Sequence, residues 1–184
     1  MKGPNPVRVL RWIQKLPFMS EERLLELYPP FFFIGLKVKQ VASDFRSMTV
    51  VVPFRWYLRN MHNSMFGGIL CAASDPLPAL LCEKIFKNIE VWSKKQTIEF
   101  LKPARSNIRF DVSIPEEAVV EIEKRLREAS KAEWEFEFEI LDDRDRVVGR
   151  VRNTVYMKNK SPALDSHGEP KRDLLNPLDV KDKT

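Results

Sequence analysis

One carboxylate stands inside the most apolar part of the chain. Residues 66–86 open Phe66-Gly67-Gly68-Ile69-Leu70 and carry Asp75 as their first acid, followed by Pro76 and Pro78. A carboxylate in such surroundings can take a proton as a general base or attack as a nucleophile. Gly67 and Gly68 stand where a helix would begin, and first-turn N–H groups have no intrahelical acceptor and favour negative charge. Just upstream, Asn60, His62 and Asn63 cluster in an irregular segment. Each of these residues also has a structural reading. Asp75-Pro76 reads as an N-cap followed by proline at the first helical position. The glycines allow close helix packing, Asn60 suits a turn, and His62 suits an exposed loop.

Other chemistries find less support. Cys71 and Cys82 fall in one expected helix, and the only histidines are His62 and His167. Metal-ligand spacing, a Cys-His-Asn arrangement and a disulfide framework are all missing, so both cysteines are expected to be small buried apolar residues in a reduced protein. No bound metal is expected. The 31 basic and 26 acidic residues leave a net charge of +5, spread along the chain rather than gathered in a stripe. That distribution speaks against nucleic acid and is compatible with a small phosphorylated ligand. No apolar run reaches membrane-spanning length and no secretory signal opens the chain, so a cytoplasmic location is expected.

The elements that must hold these residues follow from periodicity. A helix is predicted over 7–16. A second begins at Ser20 as N-cap with Glu21 and Glu22 in its first turn, and ends at Pro29 and Pro30. Residues 31–43 read as a strand, paired through a turn at 43–46 with a Val-rich strand over 47–54. The stretch 66–86 is apolar on nearly every side, as a central buried helix would be. Pro76 and Pro78 cannot sit in its interior unbroken, so a kink or two segments meeting near Asp75 is expected. Strands follow at 89–101 and 107–114. A charged helix spans 115–130 with Pro115 at its first position. In 134–140, Trp134, Phe136, Phe138 and Ile140 alternate with a row of glutamates, the mark of a half-buried strand. A last strand runs over 147–157. This order predicts an α+β domain over 31–158, preceded by a helical segment (1–30) and followed by a loosely ordered tail (159–184).

From Asn60 to Asp75 the sequence resembles the hot-dog-fold thioesterases of the phenylacetate-degradation type. Their pattern, Asn-x-x-Gly-x-x-His-Gly-Gly with an acid on the following helix, is matched here by Asn60, Gly67, Gly68 and Asp75. Phe100-Leu101-Lys102-Pro103 is similar to the family's Phe-Leu-x-Pro strand end. A branch named only as a domain of unknown function looks closest, through Asp75-Pro76, Val91-Trp92 and Val155-Tyr156. Two positions depart from the pattern: Asn63 replaces the family glycine and Phe66 the family histidine.

The resemblance implies a hot-dog fold, an antiparallel sheet wrapped around a long buried helix. It implies an acyl-CoA thioesterase with Asp75 as base or nucleophile and the Gly67 and Gly68 amides facing the carbonyl oxygen. Asn60 would hold water or the carbonyl. Asn63 and Phe66 would line the substrate, and Lys94, Lys95, Lys102 and Arg105 are the cations placed to meet coenzyme A phosphates. No separate cofactor is implied, coenzyme A being part of the substrate, and the acyl group would lie in an apolar tunnel beside the helix. The acid would face the carbonyl across the interface of a homodimer, or of a tetramer built from it. Phe66 motivates a second reading, a non-catalytic module that binds acyl-CoA or fatty acid. A hydratase or dehydratase on this fold would want an Asp/His pair, which His62 and His167 are poorly placed to supply.

Overall fold

The computed structural model describes residues 20–160. The helix predicted over 7–16 lies outside them, as does all of the tail predicted over 159–184 except Asn159, which ends the last strand, and Lys160. Ser20 caps α1 (Glu21–Leu27) as expected, its hydroxyl accepting the Arg23 N–H. The strand predicted from Phe31 needs correcting. Residues Pro29–Ile34 form a second short helix, α2, and only Lys37–Val41 form strand β1. Pro29 and Pro30 end α1, as predicted, but they also start α2, because the first turn of a helix needs no N–H. Gly35 closes α2 at φ 68°, the left-handed conformation that glycine adopts without a Cβ penalty. The three phenylalanines therefore point helically: Phe31 and Ile34 are buried, while Phe32 and Phe33 are exposed.

Strand β2 (Ser47–Val52) completes the expected hairpin. The helix predicted to be buried comes as two segments, α3 (Gly67–Ser74) and α4 (Leu77–Ile85), meeting at Asp75-Pro76; α4 is largely buried, whereas α3 buries Leu70, Ala73 and Ser74 and leaves Gly68 and Ala72 exposed. Then come β3 (Ile89–Phe100), β4 (Ile108–Ser113), α5 (Glu116–Ala129), β5 (Lys131–Asp142) and β6 (Val147–Asn159). Pro115 is the cap of α5 rather than its first residue, in extended conformation, with Glu116 and Glu117 in the first turn. The six strands form one sheet in the order β1-β2-β4-β5-β6-β3, every pair antiparallel. One face covers α3 and α4, and Val50, Phe110, Ile140, Val151 and Val155 bury against Leu77, Leu81 and Cys82. Phe136, Phe138 and Ile140 point inward and Glu135, Glu137 and Glu139 outward, as the alternation predicts. Cys82 is fully buried, and that burial pushes its thiol up to about 12, which leaves it unreactive; Cys71 is only half-buried.

The β5–β6 turn has an electrostatic lock. Asp142 is buried and accepts from the Arg146 guanidinium at 2.7 and 2.8 Å and from the Arg144 and Arg146 amides. These bonds, the Arg146 side chain first, hold its carboxyl down at about 2, against an ordinary 3.8. A depressed carboxylate stabilises the fold above the unfolded value and loses that contribution as pH falls towards the folded one. Thermal stability followed from pH 6 to pH 2 is therefore expected to fall most steeply below about pH 4. Asp142→Asn should flatten that limb; an unchanged limb would remove Asp142 as its cause.

Candidate functional site

The site is built where helix α3 begins and where it breaks. The loop before α3 is tied to its own backbone. Asn60 Oδ1 accepts the His62 and Ser64 amides at 2.9 and 3.2 Å, and Asn60 Nδ2 donates to Ser64 Oγ at 2.9 Å. Asn60 thus organises the loop, and its turn-forming role is the one these bonds display. Asn63 sits at φ 55° with Oδ1 accepting from Arg59. Asparagine tolerates the left-handed region better than most residues, so Asn63 fills a glycine position at little conformational cost. His62 is exposed.

The loop docks on the strand end that resembles the family segment. The Met65 N–H donates to the Ala104 carbonyl and the Phe66 N–H to that of Leu58, both at 2.8 Å. A methyl group placed on Gly67 would lie 3.1 Å from the Phe100 ring, and one on Gly68 would lie 2.5 Å from the Phe66 ring. At Gly67 the close neighbour is a ring of strand β3, the helix-on-sheet packing foreseen for the pair, whereas at Gly68 it is the ring of Phe66 beside it; both rings are exposed and able to shift. No described residue accepts a hydrogen bond from the Gly67 or Gly68 amide, so both donors are available at the positive end of α3. Phe66 caps α3 by its backbone alone and is 56% exposed. It contributes no polar atom where the family places histidine.

Asp75 is the C-cap of α3, in helical conformation with its N–H donating to the Cys71 carbonyl, and Pro76 stands at the N-cap of α4, which removes the reading of Asp75 as an N-cap. Its half-buried carboxylate has no hydrogen bond or ion pair with any described residue. Its main-chain carbonyl, by contrast, is held twice: Ser93 Oγ and Asn153 Nδ2 each donate to it at 2.7 Å. Gln96 Nε2 donates to Ser74 Oγ at 2.8 Å, and that hydroxyl donates to the Leu70 carbonyl. A bulge in β3 between Ser93 and Lys95 makes this possible. Regular alternation would put 93 and 95 on one face; the extra residue lets Ser93 and Gln96 both turn to the helix. Sequence reading missed Ser93, Gln96 and Asn153, and the polar interruptions of an otherwise apolar strand face were the signal available.

Asp75 and the glycine amides do not converge within one chain. They lie one α3 length apart, on the order of 12 Å at 1.5 Å per residue. Of the predicted cations, Lys94 is engaged by Glu133 at 2.6 Å. Lys95, Lys102 and Arg105 are exposed and without ion-pair partners among the described residues. Lys102 and Arg105 flank the segment that contacts the start of α3. No described cluster of three or more His, Cys, Asp or Glu could hold a metal ion, and no described helix is long and apolar enough to cross a membrane.

Beside α4 lies an apolar cavity of about 530 Å³, within the ~300–1,000 Å³ of small-molecule sites. Leu24, Tyr28, Phe31, Phe45, Leu80 and Leu81 line it, and Pro76, next to Asp75, touches it. Phe45 is held at φ 57° in the hairpin turn. A bulky side chain there is strained, and Phe45 adds an aromatic wall to the cavity.

Solved structures share this architecture. A probable thioesterase of Pseudomonas aeruginosa, PA5026, is 19% identical with a TM-score of 0.66, over 85% of this chain and 98% of its own. The thioesterase HI1161 of Haemophilus influenzae is 14% identical at 0.59, over 77% and 92%. The PaaI protein of the E. coli phenylacetic acid degradation operon is 15% identical at 0.56, over 83% and 95%. At these identities the likeness establishes the fold, an α+β hot-dog. No curated protein matches the sequence. Residues 21–157 match the family described as a domain of unknown function, DUF4442, and the chain belongs to that family.

Proposed function

We propose that this protein is an acyl-CoA thioesterase working as a homodimer. The observation that carries the reading is the pairing of two unpartnered groups at the two ends of α3, the Asp75 carboxylate and the Gly67 and Gly68 amides. The amides would hold the thioester oxygen as charge develops on it. Asp75 would take the proton from attacking water, or attack the carbonyl itself. Neither step needs a histidine, so Phe66 is compatible with turnover. The separation of acid and amides along α3 supports a site shared between two copies. Strand β3 supports the same arrangement: it is a twelve-residue sheet edge, and long open edges invite pairing. Exposed Trp92, Phe66, Phe100 and Leu101 add apolar surface near that edge and near the start of α3. Lys95, Lys102 and Arg105, without ion-pair partners among the described residues, would meet the coenzyme A phosphates.

The direct test is hydrolysis of short-chain, long-chain and aromatic acyl-CoA, following thioester loss itself so that Cys71 does not consume a thiol dye. Hydrolysis of at least one class is expected, from a dimer in solution. Binding without turnover would favour the acyl-binding module instead, the reading that Phe66 motivates. The apolar cavity gives a finer expectation. Leu80→Trp should lower kcat/KM for long chains by about tenfold or more, as lost apolar contacts do, and spare short ones. Equal loss on every chain length would take the cavity out of acyl recognition.

A further inference from the structure

Asn153 is fully buried on β6, the strand next to the β3 edge of the sheet, between β3 and β5. A buried asparagine normally pairs both ends of its amide. Here the Nδ2 end is used and the other is not. Nδ2 donates to the Asp75 carbonyl at 2.7 Å and lies 3.4 Å from Ser93 Oγ, while Oδ1 has no partner among the described residues. An unpaired buried acceptor costs stability, and an apolar residue would serve the core better. What the position gains is the donor.

The recipient of that donor sits at a break. Pro76 and Pro78 supply no N–H, and α3 and α4 meet between Ser74 and Leu77. The peptide of Asp75 would otherwise be a joint about which the two segments could pivot. Ser93 from β3 and Asn153 from β6 grip its carbonyl from two adjacent strands. The carboxylate beyond it has no bond of its own to fix its direction. We infer that Asn153, acting with Ser93, is a positioning residue that aims the Asp75 carboxylate by clamping its main-chain carbonyl to the sheet. The inference rests on the thioesterase reading for its consequence in turnover, and on geometry alone for the clamp.

The test uses the full-length protein with Asn153→Leu, Ser93→Val, their double variant, and Ser93→Thr. Valine and threonine share a shape and differ only in the hydroxyl, so that pair isolates the donor from packing. Crystal structures of wild type and the double variant should show the Asp75 carboxyl displaced by about 1 Å, a misplacement that costs on the order of 10²-fold in rate. The corresponding readout is a fall of that size in kcat with KM held, and with Ser93→Thr near wild type. An Asp75 carboxyl that stays in place in the double variant overturns the clamp. So does a lower midpoint with unchanged kcat, because it assigns Asn153 to the fold alone. Should the wild type hydrolyse no acyl-CoA, the thioesterase reading fails, and the displacement of the carboxyl by itself decides the clamp.

Discussion

Asp75→Asn is expected to lower kcat by ~10²–10⁴-fold, the contribution of a positioned general base, while the protein stays folded and still binds acyl-CoA. The amide has nearly the shape of the acid, and the carboxylate makes no structural bond that the substitution would break. Gly67→Pro should cost turnover by a different route. Proline suits the first helical position, and Phe66 before it is already extended at ψ 129°, so the change removes one N–H with little backbone strain and asks only that the exposed Phe100 ring, 3.1 Å from the new Cβ, give by a few tenths of an ångström. If acid and amide come from different copies, the two inactive variants complement each other. Unfolding and refolding them together makes heterodimers, half of whose sites hold both wild-type groups. The mixture should recover about a quarter of wild-type turnover when chains pair at random. Recovery would establish the shared site. An inactive mixture of well-formed heterodimers would place acid and amide in one chain, against the helix geometry, and full activity in Asp75→Asn would remove the carboxylate from the mechanism.

Gly149→Ala is expected to be the costliest single methyl group in the sheet. Gly149 is buried on β6 between Ile140 of β5 and Phe100 of β3. A Cβ there would stand 2.9 Å from the Glu99 carbonyl oxygen and 3.1 Å from Ile140 Cδ1. The first neighbour is backbone and can move only if β3 shifts on β6. Overpacking of this kind costs ~1–3 kcal/mol, and each kcal/mol lowers Tm by roughly 2–4 °C at this chain length. Urea and thermal unfolding would measure it. A midpoint equal to wild type would mean that β3 yields without penalty, and the edge would then be looser than its long pairing with β6 suggests.

The break in the central helix was legible without coordinates, because the two prolines forbid a continuous ladder of N–H donors there. The sheet's inward residues were legible too, because alternation in β5 is dictated by which side chains water accepts. The glycine pair, the acid and the Phe-Leu-x-Pro segment were recognisable as types, since close approach and proton transfer each demand particular atoms. Residues 29–34 went the other way. A run of three phenylalanines after two prolines suits a strand locally, and the helix there exists because Gly35 can close it and the core takes Phe31 and Ile34 together. Local preference is weak against such burial. Asn153 and Ser93 were invisible for a related reason: they lie 78 and 18 residues from Asp75, and nothing in their neighbours in sequence says which carbonyl they will meet. Short-range sterics and solvation made most of the elements, the helix break and the chemical inventory readable from the chain alone. What grips Asp75 and which amides stay free came only with the folded arrangement, because they depend on sheet order and a one-residue bulge.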